Sequence, residues 1–315
     1  MADAQYILEV RHLCQTFESG RGRKRITVKA VDDVSFSIRP SETFGLVGES
    51  GCGKTTTGRT IIRLYDPASG QVFFNGREIS GRMTGELRRY LTENIAMIFQ
   101  DPIESLNPRM TIEEIIGEGL KVRGVKGKQE IHRRVNEMLC KVGLTQEHAT
   151  RYPHEFSGGQ RQRIGIARAM ITQPKLIIAD EPVSALDVSI QAQVINLLND
   201  LKEEMGLTVL FIAHNLSVVK YFSDRIGVMY FGRLVEVARG DDLYEKPLHP
   251  YTRSLLSAIP EPNPFTERCR RRIDYDPKTA HDYSKETPRM VEIEPEHFVY
   301  CSPSEEAEYK KQLGL

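Results

Sequence analysis

The sequence predicts an α/β fold: buried strands alternating with helices, an antiparallel β portion, a helical block inserted mid-chain, and a C-terminal extension. Three observations lead there. The apolar runs Phe44–Val47, Leu176–Ala179 and Val209–Ala213 have the length and residue types of strands buried on both faces. From Gln100 to roughly Ser157 the pattern is almost wholly helical, a block set between two strand runs. After Gly240 the character changes. Prolines cluster at Pro247, Pro250, Pro260, Pro262 and Pro264, and the rest is polar and weakly periodic, which sets a boundary near residue 245.

In chain order, β patterns fall near Ile7–Val10 and Val31–Ile38, then at Phe44–Val47, Val72–Phe74 and Ile95–Phe99. They resume at Leu176–Ala179, Val209–Ala213, Ile226–Tyr230 and Leu234–Val237, the last two flanking Gly232 as a hairpin. Helical spacing fits Thr56–Leu64, Ile112–Leu120, Glu130–Val142, Gly159–Ile171, Ile190–Met205 and Leu216–Tyr221.

Composition narrows the classes. The 315 residues carry 43 Lys+Arg against 43 Asp+Glu, a formal net charge of zero. A balanced chain is a poor candidate for nonspecific nucleic-acid binding, which rests on phosphate neutralisation. Two basic runs, Arg21 to Arg25 and Arg268 with Arg270-Arg271-Arg272, read as solvated loops. The cysteines Cys14, Cys52, Cys140, Cys269 and Cys301 are scattered, without a C-x-x-C pair, which argues against a disulfide framework and against a zinc site. No basic-then-apolar signal opens the chain, and no apolar run approaches the 18 or so residues that span a bilayer. The expectation is a soluble cytoplasmic chain whose membrane role, if any, comes through a partner.

The chemistry starts at Gly48-Glu49-Ser50-Gly51-Cys52-Gly53-Lys54-Thr55, followed by Thr56. An apolar strand precedes it and a helical pattern follows, the context that makes G-x-x-x-x-G-K-[ST] a phosphate site. Glycines let successive N–H groups point at an anion, and the helix N-terminus adds partial positive charge. Lys54 supplies a point charge for outer phosphates, and the Thr55 hydroxyl is a hard oxygen suited to Mg²⁺. A glycine-rich turn that binds nothing would leave Lys54 and Thr55 unexplained. Cys52, beside Lys54 and a helix N-terminus, is expected to have a lowered thiol pKa and to be alkylation-prone. Asp180 and Glu181 end the strand that begins at Leu176. Asp180 is placed to hold Mg²⁺, and Glu181, one step on, to deprotonate an attacking water. Ser157-Gly158-Gly159-Gln160 opens a helix, either a plain capped start or a second anion site.

Together with Gln100, Ser184-Ala185-Leu186-Asp187 and His214, these motifs occur in the order and spacing of ABC-transporter ATPase subunits, which the chain resembles over roughly residues 5–240. The resemblance implies a P-loop NTPase core of the ABC ATPase type with an antiparallel β subdomain and an inserted helical subdomain at about 101–157. Residues 1–245 would be the nucleotide-binding domain. ATP would lie between two subunits, with Lys54, Thr55, Gln100, Asp180, Glu181 and His214 on one side and the partner's counterparts of Ser157, Gly159 and Gln160 on the other. Gln100 would contact Mg²⁺ and sense the transmembrane subunit, His214 would hold the γ-phosphate, and Asp187 would couple the sites. Phe17, upstream of the loop, is the best match for the aromatic that stacks on adenine, although the family more often has Tyr there.

The subfamily is narrower. Gln100-Asp101-Pro102, Leu106-Asn107-Pro108-Arg109-Met110-Thr111 and Leu248-His249-Pro250-Tyr251-Thr252-Arg253-Ser254-Leu255-Leu256 resemble oligopeptide and dipeptide importers, making 246–315 an extension of that type. His281-Asp282-Tyr283-Ser284 and His297-Phe298-Val299 are similar to the F-type subunit of Gram-positive oligopeptide permeases. The partners so implied are a paralogous D-type ATPase, two transmembrane permease subunits at whose cytoplasmic face the chain sits peripherally, and indirectly an extracellular solute-binding protein. Relatives with a tail iron–sulfur cluster have four closely spaced cysteines. Here the tail has Cys269 and Cys301, 32 residues apart, so no cluster is expected. Three other readings are weighed. A nickel importer uses the same subunit type. A soluble ABC ATPase of DNA repair or translation would bring zinc modules, coiled-coil insertions or two ATPase units. A degenerate scaffold fits poorly with intact Glu181 and His214.

Overall fold

A computed structural model describes residues 6–19, 26–259 and 272–315. The strands are β1 (Leu8–Ser19), β2 (Ile26–Ile38), β3 (Thr43–Val47), β4 (Ser69–Phe74), β5 (Arg77–Glu78), β6 (Ile95–Ile98), β7 (Leu176–Asp180), β8 (Thr208–Ile212), β9 (Arg225–Tyr230), β10 (Arg233–Arg239), β11 (Arg289–Glu294) and β12 (His297–Cys301). The helices are α1 (Lys54–Ile61), α2 (Gly85–Asn94), α3 (Pro102–Ser105), α4 (Ile112–Val122), α5 (Lys128–Lys141), α6 (Gly158–Met170), α7 (Val188–Met205), α8 (Leu216–Phe222), α9 (Gly240–Glu245) and α10 (Pro250–Ser257), with a single turn at Pro277–Ala280 and a last helix at Pro303–Leu313.

Two sheets result. One is antiparallel, in the order β2-β1-β4-β5. The other runs β11-β12-β10-β9-β3-β8-β7-β6. In the second sheet β9, β3, β8, β7 and β6 are parallel neighbours, and the β10, β12 and β11 side is antiparallel. The parallel strands read as unbroken apolar runs because both faces are covered. Along β7, Leu176 and Ile178 enter the core shared with β1, β2 and β4, while Ile177 and Ala179 enter the core shared with the helical layer. The inserted block is helical throughout: α3, α4, α5 and two short 3₁₀ turns at Gln146–Thr150 and Pro153–Glu155. Its helix starts follow from sequence, as in Thr111, whose hydroxyl caps α4 while Glu114 reaches back to the Thr111 N–H at 2.8 Å.

Three expectations change. The first strand is much longer than Ile7–Val10, because its bulged register follows the full β2 arm. The helix after the phosphate loop stops at Ile61 rather than Leu64, as Arg63 turns into the left-handed region at φ 65°. The tail, read as weakly periodic, supplies two strands. β12 pairs with β10 and β11 with β12, so the large sheet runs continuously past residue 245. The alternation in Arg289–Glu294 covers only Val291 to Glu294, with Ile293 buried; it is broken at the start by exposed Arg289 on the Ile293 side and by Met290 on the other. The runs 20–25 and 260–271, which hold most of both basic stretches and Cys269, lie outside the described residues.

Buried ionisable groups dock the extension. Glu236, fully buried in β10, accepts the N–H groups of Leu248 (2.8 Å) and His249 (3.0 Å) and stands 2.7 Å from His297 Nε2 of β12. His281 Nδ1 lies 2.5 Å from Glu305 of the last helix. His249 is 1% exposed, and burial, helped by His281 and Arg253, pulls its pKa down from 6.5 to about 3. Its neutral Nδ1 therefore accepts the Tyr251 N–H and caps α10. A histidine with a lowered folded pKa binds fewer protons folded than unfolded, so its contribution is intact above about pH 6.5 and lost towards pH 3. Replacing His249 with Asn, which retains a capping oxygen, should make the melting temperature less sensitive to acidification across that window. Equal pH profiles for wild type and variant would remove His249 as a source of acid lability.

Candidate functional site

Register builds the site. Leu46 of β3 lies opposite Ile212 of β8, Ile212 opposite Asp180 of β7, and Ala179 opposite Ile98 of β6. The strands are parallel, so the segments that leave their C-terminal ends emerge together, where open α/β sheets carry their sites. Those segments carry the glycine-rich loop, Gln100, Glu181 and His214. Ser50, Gly51, Gly53, Lys54, Thr55, Thr56, Gln100, Glu181 and His214, with Ala30 of β2, line one cleft of about 390 Å³.

The loop lies directly on neighbouring backbone. Gly48 has φ 151°, and a Cβ there would stand 2.2 Å from the Met229 carbonyl. Gly53, at φ 107°, would place one 2.1 Å from the Ala30 carbonyl. No side chain fits either position. Glu49 and Ser50 form the outer turn, and Lys54, 4% exposed, folds back to donate to the carbonyls of Gly48 (2.7 Å) and Glu49 (2.9 Å).

Across the cleft the Thr55 hydroxyl donates to Asp180 Oδ1 at 2.7 Å. Asp180 is fully buried, and its Oδ2 has no hydrogen-bond partner; Arg59, one turn into α1, stands 3.8 Å away. Burial pushes the Asp180 carboxyl above its usual range, with Thr55, Arg59 and Lys54 pulling the other way. Removing a carboxylate from water costs several kcal/mol, and one neutral hydrogen bond returns about 1. A buried carboxylate oxygen that accepts no hydrogen bond, with the Thr55 hydroxyl on its neighbour and the Gln100 side chain in the cleft that Thr55 lines, is a hard-oxygen set that fits a divalent cation such as Mg²⁺. Glu181 sits at φ 46°, a left-handed conformation of about 1–3 kcal/mol strain, held by its N–H to the Ile212 carbonyl at 2.9 Å. That backbone turns its carboxylate to Gln100 Nε2 and His214 Nδ1, each 3.1 Å from Oε2.

The other residues singled out lie outside this lining. Phe17, 37% exposed, pairs with Val28 across the β1–β2 hairpin and sets its ring edge-on to Tyr65 at 5.2 Å. Ser157 caps α6, its N–H donating to Gln160 Oε1 at 3.0 Å and its hydroxyl accepting the Gln160 N–H at 3.4 Å. Gly159 is needed where Ile190 of α7 approaches, since a Cβ would meet Ile190 Cγ2 at 2.7 Å. Asp187 is the N-cap residue of α7. Arg59 was not foreseen, although its i+4 spacing from Thr55 puts both on one face of α1.

Comparison with known proteins places the chain. Residues 31–184 match the family model described as ABC transporter, and residues 235–285 match the oligopeptide/dipeptide transporter C-terminal region. The oligopeptide transport ATP-binding protein OppF of Bacillus subtilis is 60% identical over 96% of this chain and 98% of its own length. The dipeptide transport ATP-binding protein DppF of Lactococcus lactis is 52% identical over the full length of both. Among solved structures, a dimeric post-hydrolysis state of the ATP-binding cassette MJ0796 bound to ADP and Pi aligns with TM-score 0.67 at 29% identity, over 74% of this chain and 98% of that one. The chain belongs to the ABC transporter family, as an ATP-binding, ATP-hydrolysing subunit.

One expectation about the loop is reversed. Cys52 is 6% exposed, and its burial raises the thiol pKa against the opposing pull of Lys54, whose Nζ lies 3.8 Å from the sulfur. Burial disfavours the thiolate, and here that cost exceeds what Lys54 and the helix start return. Cys140 is exposed. Maleimide treatment of the folded chain at neutral pH should therefore modify Cys140 well before Cys52, as read by peptide mass mapping. Modification of Cys52 as fast as Cys140 would restore the activated-thiol reading.

Proposed function

We propose that this chain is the energy-coupling subunit of a membrane importer of oligopeptides or dipeptides, hydrolysing ATP at composite sites shared with a paralogous subunit. The reading rests above all on the convergence of Lys54, the Thr55–Asp180 pair and the Gln100–Glu181–His214 trio on one cleft. Residues 1–245 are assigned as the nucleotide-binding unit, with 101–157 its helical subdomain and 246–315 the extension. The peptide class is supported by the near full-length match to OppF and DppF and by the oligopeptide/dipeptide transporter region. Among the described residues no helix is long and apolar enough to cross a membrane. The match to transport ATP-binding proteins supports separate permease subunits. Two such subunits, a D-type ATPase paralogue and a solute-binding protein complete the assembly, with this chain at the cytoplasmic face.

In this reading the loop residues 48–56 wrap the phosphates of ATP, and Lys54 exchanges its two carbonyl partners for phosphate oxygens. Phe17 offers its exposed ring to adenine. Thr55, Asp180 and Gln100 hold Mg²⁺, which when bound neutralises charge building on the phosphates. Because Asp180 binds a cation only as the anion, acidification opposes cation binding there, and burial, which raises its pKa, strengthens that opposition. Glu181 takes the proton of the attacking water. Its carboxylate is held by Gln100 and His214, and its strained backbone fixes the approach. Ser157, Gly159 and Gln160 serve the nucleotide on the partner's loop, and Asp187 couples the two sites. The dimeric MJ0796 structure with ADP and Pi supports a two-chain arrangement.

Glu181→Gln keeps the shape and hydrogen-bonding reach of the side chain but cannot accept the proton. ATP turnover by the assembled transporter should fall roughly 10²- to 10⁴-fold while Mg-ATP affinity is retained. Turnover near the wild-type rate would assign the base elsewhere.

The composite site makes a separate claim. The isolated chain should bind Mg-ATP yet hydrolyse it slowly, and turnover should rise when the D-type paralogue and permease pair are added. Ser157→Arg should lower that turnover without changing the isolated chain's own ATP affinity. Full, concentration-independent ATPase activity in a demonstrated monomer would overturn the two-chain account.

A further inference from the structure

Among the described residues a hydrogen bond joins the extension to the phosphate loop. The Glu49 N–H donates to the Tyr251 hydroxyl at 3.2 Å, joining segments 202 residues apart. We propose that Tyr251 is a positioning residue for ATP binding: by fixing the Glu49 peptide, it holds the loop in the shape that receives phosphates. The inference rests on the nucleotide-site reading above and assigns a role in it to the Leu248-His249-Pro250-Tyr251 segment.

Glu49 is held through both its backbone groups, its N–H by Tyr251 and its carbonyl by Lys54 Nζ at 2.9 Å and by the Cys52 N–H at 3.3 Å. When Lys54 turns to phosphate oxygens, the carbonyl keeps only a bond made within the loop, and the Tyr251 hydroxyl is the hold from outside it. The anchor cannot follow the loop. Tyr251 is 2% exposed, and its ring packs on Tyr230, the last residue of β9, with centroids 4.4 Å apart, and on Tyr275 at 5.4 Å. Each residue of the segment contributes. The N–H groups of Leu248 and His249 are fixed by buried Glu236, and Pro250 starts α10 with no N–H left to satisfy. His249 Nδ1 accepts the Tyr251 N–H at 3.1 Å, which sets the direction from which the tyrosine leaves the helix. Glu236 is itself held by His297 of β12. A line of buried contacts thus runs from the tail strand to the loop.

Tyr251→Phe removes the hydroxyl and keeps the packed ring. Tyr275→Phe is the matched control: its hydroxyl lies 3.1 Å from His281 Nε2 in the same aromatic cluster and makes no bond to the loop. With purified full-length chain, the Kd for Mg-ATP should rise about 2- to 12-fold in Tyr251→Phe, the worth of one neutral hydrogen bond. It should be unchanged in Tyr275→Phe. Without nucleotide, amide exchange in the peptide spanning the loop should quicken in Tyr251→Phe alone. Equal Kd and equal exchange in wild type and Tyr251→Phe overturn this inference by itself, as does an equal loss in both variants. Failure of the wild-type chain to bind Mg-ATP overturns the nucleotide reading and this inference together.

Discussion

Everything in the cleft depends on the register of four parallel strands. β3, β8, β7 and β6 end side by side, and each is followed at once by a functional segment. A one-residue slip in any of them would turn its alternating side chains to the opposite face and move its segment along the sheet edge. The slip is prevented by burial on both faces. Leu176 and Ile178 are fixed in one core, Ile177 and Ala179 in the other, so β7 can deliver Asp180 in only one way. Core packing therefore sets the position of the carboxylate, and helix caps and loop glycines adjust it.

Two local costs are concentrated at that edge. Asp180 is a buried carboxylate with one oxygen that accepts no hydrogen bond, and Glu181 is a non-glycine residue in left-handed backbone. Neither favours the fold. Each is worth up to a few kcal/mol against a core that the same strands bury completely. The tolerance has a chemical meaning. A carboxylate already stripped of water binds a divalent cation without losing its own hydration at that moment. A strained backbone fixes the carboxylate of Glu181 between Gln100 and His214 rather than letting it sample solvent.

The parallel core, the helical insertion and the lining of the cleft were legible in the sequence because each has a local signal. Unbroken apolar runs mark β3, β7 and β8. A glycine pattern followed by Lys54 and Thr55 marks the loop, and carboxylates at a strand end mark Asp180 and Glu181. Two helices with local start signals, at Thr84 and at Ser302 with Glu305, were passed over; the other misses are non-local. Cys52 has an activating neighbour in sequence but a burying environment in space, and burial dominates. β11 and β12 are short, β12 carries large aromatic rings on its outward positions, and the strand it pairs with, β10, lies some sixty residues earlier. Phe17 and the Ser157 helix start were legible as motifs, yet neither lines the cleft: Phe17 lies on the β1–β2 arm, and Ser157 caps α6.

The antiparallel side explains why the extension belongs to the core rather than trailing from it. β10 is buried along Leu234–Ala238, and with nothing beyond it an apolar strand would present an open edge to solvent. β12 closes that edge at Glu236 and Val237, and β11 then carries the exposed border, with Arg289, Glu292 and Glu294 among its six residues. Closing the edge carries a second consequence. Glu236, which would be a solvated strand residue at an open edge, becomes a fully buried carboxylate that must be satisfied. Its partners are the Leu248 and His249 N–H groups and the His297 ring, the groups that fix the start of α10. The carboxylate required by closing the sheet is thus the same one that aims Tyr251 at the phosphate loop.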